Sequence, residues 1–255
     1  MRYLAACGLA LAAAAGPVAA QQAPGIETEI GIYGFGVAIG GDASAGGAEM
    51  DIDLPFGDVW DALEGLVLAY AEHRRGNWIY FARAEYMDLD GFEAETSRGP
   101  VSVEARAGMA QWTVQGFAGY RVTDRATQAG RLTADLLGGL RYVSIDMDVD
   151  ASLAAFGRET RRDFGKRVEF TDPVVALRAK HVWNDAWGLA GWIDLGGFGA
   201  GSEFSTSAEI TIDRQWSNGW RAFGGWKYFT FDYEDGPLEM QPTYSGPVLG
   251  VSYRF

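Results

Sequence analysis

His73 and His181 are the only two histidines in this 255-residue sequence, so they are the only side chains whose ordinary pKa suits general-base work near neutral pH. Hydrolysis by a serine nucleophile would need one of them beside a hydroxyl. Thiol chemistry has even less to draw on. The single cysteine, Cys7, lies close to the N-terminus, which leaves the rest of the chain without disulfides, thiolate metal sites or thiol nucleophiles. Charged residues, by contrast, recur at alternate positions. Glu72 and Arg74, Arg83 and Glu85, Glu104 and Arg106, and Arg178 and Lys180 are each two apart, and Asp135, Arg141, Asp172, Asp194, Glu209, Asp213, Lys227 and Arg254 fall within further alternating stretches. On an extended chain, residues two apart share a face. Opposite charges so placed suit a ladder of salt bridges better than a reaction centre.

Strands must hold these residues. Alternating segments are expected at Glu29–Ile39, Gly65–Arg74, Trp78–Leu89, Val101–Val122, Arg131–Asp146, Asp172–Trp183, Trp187–Phe198, Thr206–Trp216, Gly219–Tyr233 and Gly246–Phe255. The fourth is about twice the 9–11 residues that cross a bilayer, so it must project or bend. The facing pattern gives the polarity. Leu132, Ala134, Leu136, Leu140 and Tyr142 share one face, with Thr133, Asp135 and Arg141 on the other; Val175, Leu177 and Ala179 oppose Asp172, Arg178 and Lys180; Trp226 and Tyr228 oppose Arg221 and Lys227. Charges inside and apolar side chains outside is the polarity of a membrane barrel, the reverse of a soluble one. A greasy soluble core with so many buried charges would be costly.

The termini and composition agree. Met1 to Ala20 carry one early charge at Arg2, an Ala-rich apolar run and "PVAA" before Gln21, the layout of a secretory signal peptide too short to span a membrane. "LAAC" at Leu4 to Cys7 resembles a lipoprotein box, but its apolar run follows the cysteine where it should precede it. The expected organisation is therefore a signal peptide over 1–20 and one barrel over 21–255. The 35 Gly, 9 Trp, 11 Tyr and 14 Phe suit curved strands and interfacial aromatic girdles, and no later stretch is long and apolar enough for a membrane helix. A formal charge of -13 argues against a nucleic-acid partner.

The links sort into short and long. "RGN", "TDRATQAG", "NDA" and "SNG" connect one end, while 40–64, 90–100, 147–171 and 234–243 read as longer loops at the other. The architecture expected is all-β, an antiparallel transmembrane β-barrel of about ten strands, with eight or twelve as alternatives, both termini at the short-turn end. In the first long loop, Asp53 and Pro55 predict the start of a short helix with Val59, Trp60 and Leu63 on one face, folded into the barrel mouth. Acidic Asp51, Asp53, Asp58 and Asp61 lack EF-hand spacing and read as a solvated face. The basic "GRETRRDFGKR" (Gly157 to Arg167) suits contact with lipopolysaccharide phosphates.

"EHRRGNWIYFARAEYMDLDG", "DPVVALRAKHVWNDAWGLAGWIDLGGFGAGS" and "GWKYFTFDYEDG", with the terminal "SGPVLGVSYRF", resemble a family of bacterial outer-membrane β-barrel proteins of unestablished activity. The resemblance covers most of the chain after residue 20 and is strongest from Leu136 onward. It implies the cell outer membrane as location, and outer-membrane lipid, lipopolysaccharide and the insertion machinery as partners. Val251, Tyr253 and Phe255 match the alternating terminal signal that this machinery reads. Among small barrels of this kind are enzymes that edit lipid A, but His73 and His181 fall beside short turns on the lipid face, away from the outer leaflet where that chemistry belongs. The expectation is a structural or surface-interaction protein rather than an enzyme, with no cofactor or metal and a filled or narrow lumen. A small channel and a lipid A modifying enzyme are the alternatives. Glu72, Arg83, Glu85, Arg141, Asp172, Arg178, Asp194, Lys227 and Arg254 are the expected lumen charges, and Trp192, Phe198, Phe229 and Phe231 the expected inward aromatics.

If the terminal pattern is a signal, deleting Phe255 will reduce outer-membrane assembly and leave export across the inner membrane intact. Fractionation followed by immunoblotting checks this; normal outer-membrane levels of the deletion would mean that the pattern is only a strand.

Overall fold

The computed structural model describes residues 26–45, 48–98, 101–155, 158–184 and 186–255. The expected signal peptide, 1–20, lies outside them. The elements run β1 (Ile26–Phe35), β2 (Ala38–Ala45), β3 (Ala48–Leu54), α1 (Phe56–Asp61), β4 (Leu63–Arg75), β5 (Trp78–Arg98), β6 (Val101–Thr127) and β7 (Gly130–Ala155). They continue with β8 (Arg158–Val182), β9 (Trp187–Gly197), β10 (Phe204–Gln215), β11 (Trp220–Asp235) and β12 (Leu238–Arg254). β1 and β4–β12 pair antiparallel in a ring that closes when β1 meets β12, from Glu29 opposite Arg254 to Phe35 opposite Val248. The result is a ten-stranded barrel with two additional strands.

The links that the sequence marks as short, between β4 and β5, β6 and β7, β8 and β9, and β10 and β11, all lie at one end, the periplasmic end in barrels of this kind. Gly76 and Gly219 take left-handed φ angles of 59° and 89° there, a conformation open to glycine at little cost. Asn184 closes another turn by accepting the backbone N–H groups of Ala186 and Trp187 at 2.9 and 2.8 Å. The last residue is tied in as well: Phe255 and Thr28 exchange backbone hydrogen bonds of 3.1 and 3.0 Å.

At the opposite end the long "loops" are mostly strand. Residues 90–98, 147–155, 158–171 and 234–235 with 238–243 continue the ladders of β5, β7, β8, β11 and β12. The sequence expectation of loops there is corrected: antiparallel neighbours satisfy the backbone groups of these segments, and Val168, Phe170 and Met240 within them are buried. Glu104 and Arg106 belong to this projecting part. Arg106 pairs with Asp90 at 2.9 Å in solvent rather than in the lumen, and the side chain of Glu104 lies outside the described set.

Only 40–64 holds new elements. β2 continues along the upper part of β12, from Ala38 opposite Ser245 to Ala45 opposite Leu238, and folds back as β3. α1 follows with Pro55 as its N-cap residue and no side-chain cap. Asp53 belongs to β3, and the helix splits the expected face: Val59 is buried while Trp60 is 61% exposed. Phe198 is a second correction. It leaves β9 with φ 54°, between left-handed Gly197 and Gly199, and its ring turns outward at 60% exposure. The alternation ends there because the backbone no longer extends.

Outside, the wall is apolar. Ile30, Ile32, Val67, Val114, Leu136, Leu140, Val175, Leu177, Ile193, Ile210 and Leu249 are exposed. Trp78, Tyr120, Trp183, Trp216, Trp220 and Tyr253 gather near the short turns, with Trp112, Tyr142, Phe204, Trp226 and Tyr228 higher on the wall. That is a lipid-facing band between two aromatic girdles.

A closed barrel holds its ladder in detergent until heated. The purified protein is expected to migrate differently on a gel before and after boiling, whereas identical migration together with recovery in the soluble periplasmic fraction would contradict a membrane-spanning barrel.

Candidate functional site

The inward side chains form three layers. Nearest the short turns is an open vestibule of about 400 Å³ lined by charge. Glu29 accepts hydrogen bonds from Tyr70 (2.7 Å), Arg221 (2.7 Å), Ser252 (2.9 Å) and Arg254 (3.0 Å). Arg178 joins Glu72 to Asp135, the latter at 2.7 Å, and Arg121 reaches Asp135 at 2.8 Å. Glu72 also accepts from Arg74 at 2.7 Å, and Lys180 and Arg221 approach Asp213 at 3.2 and 3.5 Å. At the rim, a hydrogen bond from Arg131 at 2.7 Å holds the Asp124 carboxyl below the usual carboxylate range.

Above the vestibule, aromatic rings and a second set of charges fill the cross-section. Trp192 lies 5.5 Å from Phe81 and 5.2 Å from Phe117, edge-on to the latter. Arg83 meets Glu209 at 3.0 Å, and Glu85 accepts from both Lys227 and Tyr33. Arg141 is wholly buried, as is Asp172, directly opposite it in the β7–β8 register. Its guanidinium donates to Asp194 at 2.6 Å and to Ser205 at 3.1 Å, and sits 4.9 Å over the ring of Phe229. Ser205 passes the link on by donating to Asp172 at 2.7 Å; Asp172 also accepts the N–H and hydroxyl of Ser202, each at 2.8 Å. Asp194 further accepts from Trp192 at 2.7 Å and from Ser207. This cluster fixes the β9–β10 connection. A Cβ at Gly201 would stand 2.4 Å from the Thr171 carbonyl, so only glycine lets Ser202 reach Asp172.

The third layer is apolar. Val37, Ile39, Val59, Ala62, Leu89, Val143, Ile145, Val168, Phe170, Phe229, Phe231 and Tyr244 pack together across the upper lumen, with α1 contributing from the side. Sequence reading left this cap out except for Phe229, Phe231 and the suggestion of a helix. It also missed Glu29, Tyr33, Tyr70 and Arg121. The parity of Glu27, Glu29, Gly31 and Tyr33 in β1 would have placed Glu29 and Tyr33 inside.

The structure places all nine sequence-derived lumen charges in the barrel interior and joins them in separate groups: Arg254 with Glu29, Arg178 with Glu72, Arg83 with Glu209, Lys227 with Glu85, and Arg141, Asp172 and Asp194 together. The outward terminal side chains Val251, Tyr253 and Phe255 are exposed, with Tyr253 and Phe255 stacked at 6.2 Å. His73 bonds Thr28 at 2.9 Å and His181 the Ala129 carbonyl at 3.1 Å, both exposed near the short turns.

A closed antiparallel ring with an apolar exterior, two aromatic girdles and a charged interior decides the architecture. This is the fold of an outer-membrane β-barrel. The chain is an integral barrel of the outer-membrane kind, and its wall is built to lie in lipid. The outer membrane protease OmpT from Escherichia coli matches 91% of this chain and 97% of its own with a TM-score of 0.60 and 9% identity. Ail of Yersinia pestis (TM-score 0.35, 8% identity) covers 91% of this chain and 99% of its own. The translocator domain of autotransporter NalP from Neisseria meningitidis (TM-score 0.39, 13% identity) covers 92% and 90%. No family model and no curated protein sequence matches the chain. The OmpT match corrects one expectation. The sequence reading made this chain a non-enzyme, but a protease shares this barrel fold, so the fold gives that exclusion no support.

Removing Arg141 leaves Asp194 buried without its cation. Arg141→Ala is expected to lower the unfolding free energy in lipid vesicles by about 3–5 kcal/mol, while Arg167→Ala, at an exposed pair with Asp146, is expected to have a far smaller effect. Urea titration followed by tryptophan fluorescence measures both; equal effects would mean that the central cluster is not a structural clamp.

Proposed function

We propose that this outer-membrane barrel serves a structural or surface-interaction role, with a lumen closed to solutes and the projecting strands β5–β8 as its outward face. The observation that carries this reading is the apolar cap lying over paired charges, since a conducting pore keeps a polar, hydrated path open along its axis. Ten strands also lie near the size at which side chains fill the interior. The surroundings are outer-membrane lipid and lipopolysaccharide, and the exposed Val251, Tyr253 and Phe255 are the residues offered to the insertion machinery during assembly.

The vestibule favours a second reading, a small channel whose inner half is already open. Conductance separates the two. Reconstituted in a planar bilayer, the protein is expected to show no large, stable current steps. Reproducible steps altered by neutralising Arg178 or Asp194 would replace the closed-lumen reading with the channel.

A further inference from the structure

The barrel wall is not hydrogen-bonded all the way up. β1 and β4 pair only from Ile26 opposite Arg75 to Ile32 opposite Ala69. Above that level β4 pairs with β5 alone, β2 turns to β12, and β3 ends the sheet, so among the described residues no strand pairing joins 63–68 to β1, β2 or β3. α1 stands in this seam. Val59 and Ala62 face the core, while Phe56 and Trp60 are 48% and 61% exposed and lie 5.8 Å apart. The Phe56 ring lies against Gly36, on the outer wall beside Pro247. Opposite Pro247 in the ladder is Trp226, in the upper girdle, so the seam reaches lipid at the level of the outer leaflet.

Directly inside the seam is a notch of about 40 Å³, lined from one side by Phe35 and Val37, from the other by Leu66 and Leu68, and floored by the Lys227–Glu85 pair with Gln111 and Thr113 beside it. One water needs about 10–15 Å³ of such space and two to four polar partners. The notch therefore has room for a few methylenes, and most of its wall offers water nothing.

We propose that this seam is a lateral entry through which a hydrocarbon chain of a bilayer lipid lodges in the notch, with α1 as the element that yields. The occupant follows from continuity: Phe56, Trp60 and the outward Val67 extend the lipid-facing wall up to the seam, and the apolar lining carries it inside. Exposed Asp58, Asp61 and Glu64 border the mouth, so the preferred chain belongs to a lipid with an uncharged headgroup. Unpaired edge groups of β4 and a six-residue helix without a side-chain cap give this part of the wall less to hold it than the two-sided ladders lower in the barrel. The entry stops at the charged layer below, so it stands independently of whether the lumen conducts.

The test uses the full barrel in neutral phospholipid vesicles containing a monoacylglycerol with a diazirine at the end of its chain. After irradiation, adducts are mapped by mass spectrometry. Inward-facing Val37, Leu66 and Leu68 should be labelled along with outward-facing Ile32 and Leu249. Leu68→Trp, which fills the notch, should lose the inward adducts and keep the outward ones; if it fails the gel test of folding, Val37→Phe makes the same comparison. Labels confined to outward residues, or inward labels that survive a notch-filling variant that folds, would overturn the proposal.

Discussion

Hydrocarbon offers no partner to a backbone N–H or C=O, and this one condition shapes the whole molecule. A sheet in lipid must close on itself, and β1 with β12 does so through a continuous register from Glu29 to Phe35. Closure then turns the usual polarity inside out. The exterior must be apolar, so charged side chains in the middle of the spanning strands are driven to the interior, where each has to find an opposite charge or a set of donors. Glu29 with its four donors, Arg178 between Glu72 and Asp135, and Arg141 between Asp194 and Ser205 answer that demand. At the seam between β4 and β1, where the upper wall is left unpaired, a helix stands in, and its own backbone bonds are internal.

Much of this could be read from the sequence because a two-residue period leaves a chemical trace. Leu136, Leu140 and Tyr142 against Asp135 and Arg141 announce both the strand and its facing, and the structure has the same facing. The Asn- and Gly-containing turns fix the ends at one rim for a similarly local reason. Where charges fall on both parities, the trace fades. Lys166 and Arg167 are adjacent charges that break the alternation of 158–171, and its ladder shows only once the partner strand is in place.

The β2–β3 hairpin and the apolar cap were hidden for a different reason. Ile39, Val59, Leu89, Val143, Phe170, Phe231 and Tyr244 come from distant parts of the chain, and each is an ordinary apolar residue in its own segment. Only the closure of the barrel brings them to one level. Phe198 and Trp60 show the limit of counting by parity or by helical face: a left-handed backbone turn redirects the first, and position in a wall rather than in a mouth redirects the second. Grouping the interior charges likewise required the barrel to close, since Arg221 meets Glu29 across 192 positions of sequence.

β7 and β8 run in one uninterrupted register from Arg131 and Val182 near the short turns to Ala155 and Arg158 at the outer tip, passing Arg141 and Asp172 on the way. Ladder hydrogen bonds lie across the strands, so a pull on that tip along the strand axis loads its bonds to β6 and β9 in shear, many at once, instead of peeling them one by one. No loop intervenes to absorb the displacement. The projecting hairpin is thus a mast stepped into the hull, and tension applied at its head is delivered to the buried arginine in the middle of the barrel.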